Sequence, residues 1–128
     1  MDFSSSAIYK SIHYFLKTLK NGDPAIEFIL FTENNKTITI MTPNIVLGLS
    51  PTKLITLVPY RDSSYYFTDG SLIMISLQKI NRADVAELKS GQISNLILFG
   101  NQKEKIKLTR RNKRDVQKAI LSFFRNYS

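Results

Sequence analysis

The sequence predicts one α+β domain that is rich in β-structure and has a helix near each end of the chain. Three observations lead to this class. The length of 128 residues suits a single core, and the composition, with 43% hydrophobic and 22% charged residues, is that of a globular protein. Apolar residues recur every three or four positions near both termini and alternate in between. We therefore expect one domain over 1–128, with a helix at about 6–20, a β-rich body at about 25–109 and a helix at about 112–126.

The first helix is predicted from an apolar stripe that begins after three serines able to cap it. Asn21-Gly22 supplies a left-handed stop, and Pro24 prevents the helix from continuing. The residues of the stripe are Ile8, Ile12, Phe15, Leu16 and Leu19.

The body begins where the apolar period changes to two and β-branched and aromatic residues become frequent. Residues 25–32 and 37–42 flank a polar connection and predict a β-hairpin. Residues 45–49 and 54–58 predict two short strands. Because Pro51 and Pro59 lack an N–H, these strands should end there or lie at a sheet edge.

Two further hairpins are predicted in the second half of the chain. Residues 65–68 and 71–77 are joined by Asp69-Gly70, which accepts the positive φ angles of a tight turn. Residues 93–99 and 105–109 flank Gly100-Asn101 and form the other hairpin. Residues 84–88 fit a strand and a short helix equally well.

The last helix should run from an Asn112 cap to about residue 126. At 100° per residue, Val116 and Ile120 lie on one side and Arg114 and Lys118 lie on the opposite side. One face should pack on a sheet while the other presents cations to solvent.

The stretch Phe67-Thr68-Asp69-Gly70-Ser71, which continues into an apolar strand, resembles bacterial PH-like domains of the pleckstrin homology and GRAM type. The resemblance covers about residues 53–127. Ser71 stands where many relatives carry a basic residue, and an N-terminal helix is outside the family plan. The resemblance implies a small antiparallel barrel or two near-orthogonal sheets with the final helix as a cap, and it implies a strand at 84–88.

Charge is distributed unevenly along the chain. Residues 1–100 carry nine basic and eight acidic residues, whereas residues 101–128 carry nine basic and two acidic ones, a balance of +7 within a total of +8. Alternate lysines on a strand share one face at about 7 Å intervals, and arginines can contact phosphate with two parallel hydrogen bonds. The expected binding residues for an anionic partner are Lys103, Lys105, Lys107, Arg110, Arg111, Lys113, Arg114, Lys118 and Arg125. A solvated strand and helix would carry the same charges without any partner.

Enzymatic chemistry finds little support in the composition. The chain has no cysteine, which excludes disulfides and thiol nucleophiles. Its single histidine, His13, leaves little basis for a catalytic triad that uses an imidazole. Scattered acids at Asp62, Asp69, Asp84 and Glu87 suit turns and caps better than a metal site. We expect a non-enzymatic protein without a cofactor or metal. With no signal sequence and no apolar run of membrane length, we expect it in the cytoplasm.

Nucleic acid is the expected partner, because the cations follow a strand and a helix. Anionic membrane is an alternative. Another is a PH-like protein-interaction or self-assembly module, in which the N-terminal helix contacts a protein partner or a second copy. Tyr60, Tyr65, Tyr66 and Phe67 could stack on bases, although aromatic residues in hairpins more often pack against neighbouring strands.

Overall fold

Two antiparallel sheets and two helices form the described part of the protein, a computed structural model that describes residues 2–3, 9–33, 42–49, 52–68, 70–100 and 103–125. A 3₁₀ turn, Arg82–Asp84, precedes the first helix. The elements are β1 (Asp2–Phe3), β2 (Tyr9–Thr18), β3 (Pro24–Glu33), β4 (Asn44–Leu49), β5 (Lys53–Thr56), β6 (Val58–Pro59), β7 (Ser64–Thr68), β8 (Ser71–Lys79), α1 (Val85–Ser90), β9 (Ile93–Phe99), β10 (Lys103–Lys107) and α2 (Arg110–Phe124).

The strands divide into two sheets. Sheet A has the order β1-β2-β3-β8-β6, with β7 pairing the other half of β8, and sheet B has the order β10-β9-β4-β5. Buried side chains from the inner faces of both sheets form one core; the largest of them include Phe28, Leu30, Leu47 and Leu96. The fold is therefore mainly β, and the expectation of an α+β class with an N-terminal helix is wrong.

The predicted N-terminal helix at 6–20 is replaced by β2 over its described part. Along β2, Ile12 and Tyr14 are buried, while His13 and Phe15 point to the opposite face. The same residues thus fit a period of two as well as a helical stripe. Pairing with β3 from Tyr9 to Thr18 favours the strand, because β-branched and aromatic residues lose less side-chain freedom there than in a helix.

The predicted helix stop is a hairpin turn between β2 and β3. Gly22 has a φ of +90°, and its N–H donates to the Leu19 carbonyl at 2.9 Å. The Leu19 N–H donates to the Asp23 carbonyl at 2.8 Å. The left-handed position inferred from Asn21-Gly22 is correct, but it reverses a strand instead of ending a helix.

The first predicted hairpin has the wrong partner. The strand at 25–32 exists as β3, yet β3 pairs with β2 along one edge and with β8 along the other. Its predicted partner at 37–42 lies, apart from Thr42, outside the described residues. The pairing with β8 joins residues that are about forty or more positions apart in the chain, for example Thr32 and Leu72, which local patterns do not reveal.

The later hairpins form where they are predicted, except that the last strand, predicted at 105–109, lies two residues earlier, at Lys103–Lys107. β7 pairs with β8 next to Gly70, whose φ is +75°, and β9 pairs with β10 in a continuous register from Phe99–Lys103 to Asn95–Lys107. β5 lies at the edge of sheet B, and β6, which contains Pro59, pairs only with β8. Residues 84–88 lie in the 3₁₀ turn and α1, so the strand implied there by the PH-like resemblance is absent from the structure.

The C-terminal helix is present as α2. Its buried side chains, Val116, Ile120 and Phe124, join the common core and contact β9 and β2 from opposite sheets. Because these three residues recur at four-residue spacing, they form one apolar stripe along the helix. The stripe leaves the other side of α2 exposed to solvent.

Candidate functional site

The three lysines of β10 form a row on the outer face of sheet B. Lys103, Lys105 and Lys107 are exposed, whereas Ile106 between the last two is buried in the core. Because β10 is the edge strand, these side chains border the face, and alternate positions along a strand place the row over about 14 Å.

An exposed aromatic ring lies beside this row. Phe99 is directly opposite Lys103 on β9, is 39% exposed, and its ring centroid is 5.7 Å from Lys103 Nζ. Asn44, also exposed, is the cross-strand neighbour of Phe99 on β4. Charge patterning could not indicate Phe99, but the register of the predicted 93–109 hairpin places it next to the lysines.

The cations of α2 begin earlier than predicted. Thr109, not Asn112, caps the helix: its Oγ1 accepts a hydrogen bond from the Asn112 backbone N–H at 3.1 Å. Arg110 and Arg111 are therefore helical residues. With Arg114, Lys118 and Arg125 they lie within an arc of roughly 100°, and Arg111 to Arg125 spans about 21 Å along the helix.

Lys113 separates from the other predicted cations. Its direction on the helix lies between those of Ile120 and Phe124, two core residues, and it is partly buried. We call the remaining eight exposed residues the basic surface. They are Lys103, Lys105, Lys107, Arg110, Arg111, Arg114, Lys118 and Arg125. Only Leu108 and Thr109 separate the strand row from the helix row.

Of the two acids of this segment, Glu104 lies on the core side of β10, whereas Asp115 lies at the edge of the basic surface, next to Arg111. Glu104 is partly buried and, after burial itself, contributes to raising the pKa of Tyr9 in the core. Burial, followed by the charge of Asp115, raises the pKa of Tyr14 to about 12. These effects place Glu104 near Tyr9 and Asp115 near Tyr14, two buried residues of β2.

Ion pairs are less frequent among the cations of the basic surface than among the other described cations. Within it, the single ion pair joins Arg111 Nε and Asp115 Oδ2 at 4.0 Å. Elsewhere four cations contact carboxylates at 2.6 to 3.2 Å: Lys17 with Glu27, Lys53 with Glu87, and Lys79 and Arg82 with Asp23. The exposed side chains of Lys20, Arg61 and Lys89 form no ion pair with described residues.

The aromatic cluster on β7 does not form one platform. Tyr66 and Phe67 are 54% and 69% exposed, but as neighbours on a strand they point to opposite faces. Tyr65 turns inward against the core, and burial raises its pKa. Tyr60 is 49% exposed and lies beyond the end of β7.

Other candidate chemistry finds no assembled site in the described residues. They contain no group of three or more His, Cys, Asp or Glu side chains that could hold a metal. His13, expected on a helix, lies on β2 with its ring edge-on to Phe31 at 5.3 Å between centroids. A cavity of about 10 Å³ between the sheets and α2 is lined by apolar residues such as Phe28 and Ile120, and it has room for one water at most.

Comparison with protein-family models, curated proteins and solved structures finds no match for this chain. Among the described helices, none has the length and apolar character needed to cross a membrane.

Proposed function

We propose that the protein is a non-enzymatic nucleic-acid-binding module and that the basic surface on β10 and α2 is its binding site. The observation that carries this proposal is the contrast in ion pairing. Among the described residues, the eight exposed cations of the basic surface have a single ion pair, at 4.0 Å, whereas four cations elsewhere pair with carboxylates at 2.6 to 3.2 Å. Unpaired cations repel one another, and a polyanion relieves that repulsion with release of its counterions.

The cations at the start of α2 lower the stability of the helix, which favours a role for them in binding. The amino-terminal end of a helix carries partial positive charge, so acids stabilise the first turn and cations destabilise it. Here the first turn contains Arg110 and Arg111 and has no acid. A helix whose charges only kept it soluble would gain stability from the opposite arrangement.

The surroundings of the lysine row favour nucleic acid among polyanions. Successive phosphates of a strand can contact lysines about 7 Å apart. Phe99, next to Lys103, offers an exposed ring on which a base can stack, and Asn44 offers an amide that can bond to a base edge. These contacts would add affinity beyond that of charge alone. We expect the protein to act in the cytoplasm.

Anionic lipid is the alternative source of phosphate. Leu121, which is 44% exposed, is an apolar residue that lies among the cations of α2 and could enter a bilayer. A single leucine adds little membrane affinity without further apolar contacts. Binding to lipid is therefore tested separately, with anionic vesicles.

The test is a salt titration of binding to single-stranded RNA, duplex DNA and anionic vesicles. The variant replaces Arg110, Arg111 and Arg114 with alanine. The matched control replaces Lys20, Arg61 and Lys89, three exposed cations outside the basic surface, and so changes the net charge equally. If all three arginines contact phosphate, the slope of log affinity against log salt should fall in magnitude by about 2 on single strands.

We expect the arginine variant to lose affinity and slope and the control to retain both, with Phe99→Ala weakening single-strand binding at an unchanged slope. Equal losses of affinity in the arginine variant and the control would show that net charge, and not this site, determines binding. Strong vesicle binding with none to RNA or DNA would assign the surface to lipid and contradict the proposal.

A further inference from the structure

Each lysine of β10 has a β9 side chain directly beside it on the outer face of sheet B. Directly paired residues share a face of an antiparallel sheet, so each pair forms a short row across the two strands. Successive rows are about 7 Å apart, because side chains on one face recur at every second residue. We call these pairs the three rows, and they are Lys103 with Phe99, Lys105 with Ile97, and Lys107 with Asn95.

The lysines also direct their backbone groups toward the open edge of sheet B. The Leu108 N–H donates to the Ser94 carbonyl at 2.9 Å, which makes these two residues a hydrogen-bonded pair. Because such pairs alternate along an antiparallel ladder, the three rows are non-hydrogen-bonded pairs, in which side chains lie closer together. The N–H and C=O groups of the lysines thus point away from β9, and β10 pairs with no other described strand. An anion at this edge can accept from an ammonium group and from a backbone N–H.

The surface next to the lysines is largely apolar. Phe99 is exposed, whereas Ile97 and its β4 neighbour Val46 are closely packed on this face without belonging to the core cluster. A duplex keeps its bases stacked on one another and presents mainly phosphates, for which an apolar surface has no use. A single strand can turn its unpaired bases onto such a surface while its phosphates contact the cations beside it.

Asn95 lies over a glycine in the third row. Gly48, its partner on β4, has no side chain, and a Cβ added there would collide with Asn95 Oδ1. A glycine at this position therefore makes room for the amide. Asn95 Oδ1 is shielded from solvent and accepts no hydrogen bond from the described residues. Because an unpaired, shielded acceptor is unfavourable, the amide gains when it turns outward to a ligand that supplies a donor.

We propose that the three rows hold three consecutive nucleotides of a single strand, with one phosphate at each lysine and one base against each β9 side chain. This inference rests on the function proposed above and specifies the form of the nucleic acid. Phe99 stacks on the first base, Ile97 supports the second, and Asn95 hydrogen-bonds the third. Since an amide can donate to and accept from adenine at the same time, we expect adenine at the third position.

An acidic peptide is the competing occupant of the lysine row. It would pair with the open edge of β10 as an added strand, and its acids would contact the lysines. That strand would lie on the opposite side of β10 from β9, out of reach of Phe99 and Asn95. Contacts from these two residues therefore distinguish a nucleic acid from a peptide.

The test compares a single-stranded DNA with an abasic strand of the same length and charge, by fluorescence anisotropy on the full chain. Wild type should bind the intact strand about tenfold or more tightly than the abasic strand, at the same salt slope. Phe99→Ala and Asn95→Ala should each lower affinity for the intact strand by about fivefold or more. Both should bind the abasic strand like wild type, which also shows that they are folded. The matched control is Leu54→Ala, an exposed residue of the same face on β5, which should bind both strands like wild type.

Base preference is measured with a strand of thymines in which one thymine is replaced by adenine. Wild type should bind the substituted strand more tightly, and Asn95→Ala should not distinguish the two strands.

The possible results separate this inference from the proposed function. Equal affinity of wild type for intact and abasic strands would overturn the inference and leave binding through charge in place. No binding of either strand would overturn both. Weaker binding of Asn95→Ala to both strands, or an equal effect of Leu54→Ala, would contradict the role of Asn95 in contacting a base. Oligoglutamate bound as tightly as the intact strand would assign the lysine row to an acidic protein partner.

Discussion

Asp23 is a charged residue whose contacts stabilise the fold. Its carboxylate accepts from Arg82 Nε at 2.6 Å, Lys79 Nζ at 3.2 Å and Asn21 Nδ2 at 2.9 Å, and the residue is 8% exposed. These contacts tie the β2–β3 turn to the end of β8 and to the 3₁₀ turn. The hydrogen bond from Arg82, followed by that from Lys79, lowers the pKa of Asp23 below its ordinary value.

This lowered pKa predicts an acid-sensitive contribution to stability. A carboxyl group with a lower pKa in the folded state stabilises the protein fully above its unfolded pKa of about 3.9 and loses that effect as the pH falls through the folded value. Asp23→Asn should be less stable than wild type at neutral pH and should lose less of its remaining stability on acidification. Urea unfolding across this pH range measures both effects.

Equal stability of the Asn variant and wild type at neutral pH would show that the Asp23 contacts contribute nothing. Asp62→Asn is a suitable control, because Asp62 lies on the surface and forms no ion pair with described residues. It should leave the free energy of unfolding at neutral pH unchanged.

At the scale of the element, α2 packs an apolar stripe against the core and carries cations at its amino-terminal end, where the helix dipole disfavours positive charge. Arg110→Glu should therefore raise the free energy of unfolding by about 0.3–1 kcal/mol while weakening RNA binding. The neutral variant Arg110→Gln should fall between the two in both properties. Thermal melts and binding isotherms on the same samples measure the trade-off, and a variant that loses stability and affinity together would contradict it.

Element prediction from sequence succeeded where local chemistry decides the structure. Gly70 fixes a tight turn, so β7 and β8 could be located, and the predicted cap of the last helix, Asn112, lies three residues after the observed cap, Thr109. The basic residues of β10 could likewise be placed on one face, because strand alternation requires it.

The errors arise where distant parts of the chain decide. Residues 9–18 satisfy both a helical and a strand period, and only their pairing with β3 selects the strand. The position of β3 between β2 and β8 gives sheet A its apolar outer face, which alternation within one strand cannot reveal. Lys113 is a separate case, because its direction on α2, between Ile120 and Phe124, follows from helical periodicity alone.

At the scale of the whole molecule, the two layers carry different surfaces. The outer face of sheet A combines partly exposed apolar residues with Glu27, which lies between Phe15 and Leu77 and pairs with Lys17, and sheet B bears the lysine row beside Phe99.

The most direct measurement is an NMR titration of the protein with a short single-stranded RNA. The amide signals of residues 103–107, of Phe99 and of the exposed side of α2 should shift together and saturate together, while those of Ile29, Ile73 and Ile75 stay in place. Saturable shifts centred on Tyr66 and Phe67, with the signals of β10 and α2 unmoved, would contradict the assignment of the basic surface as the binding site.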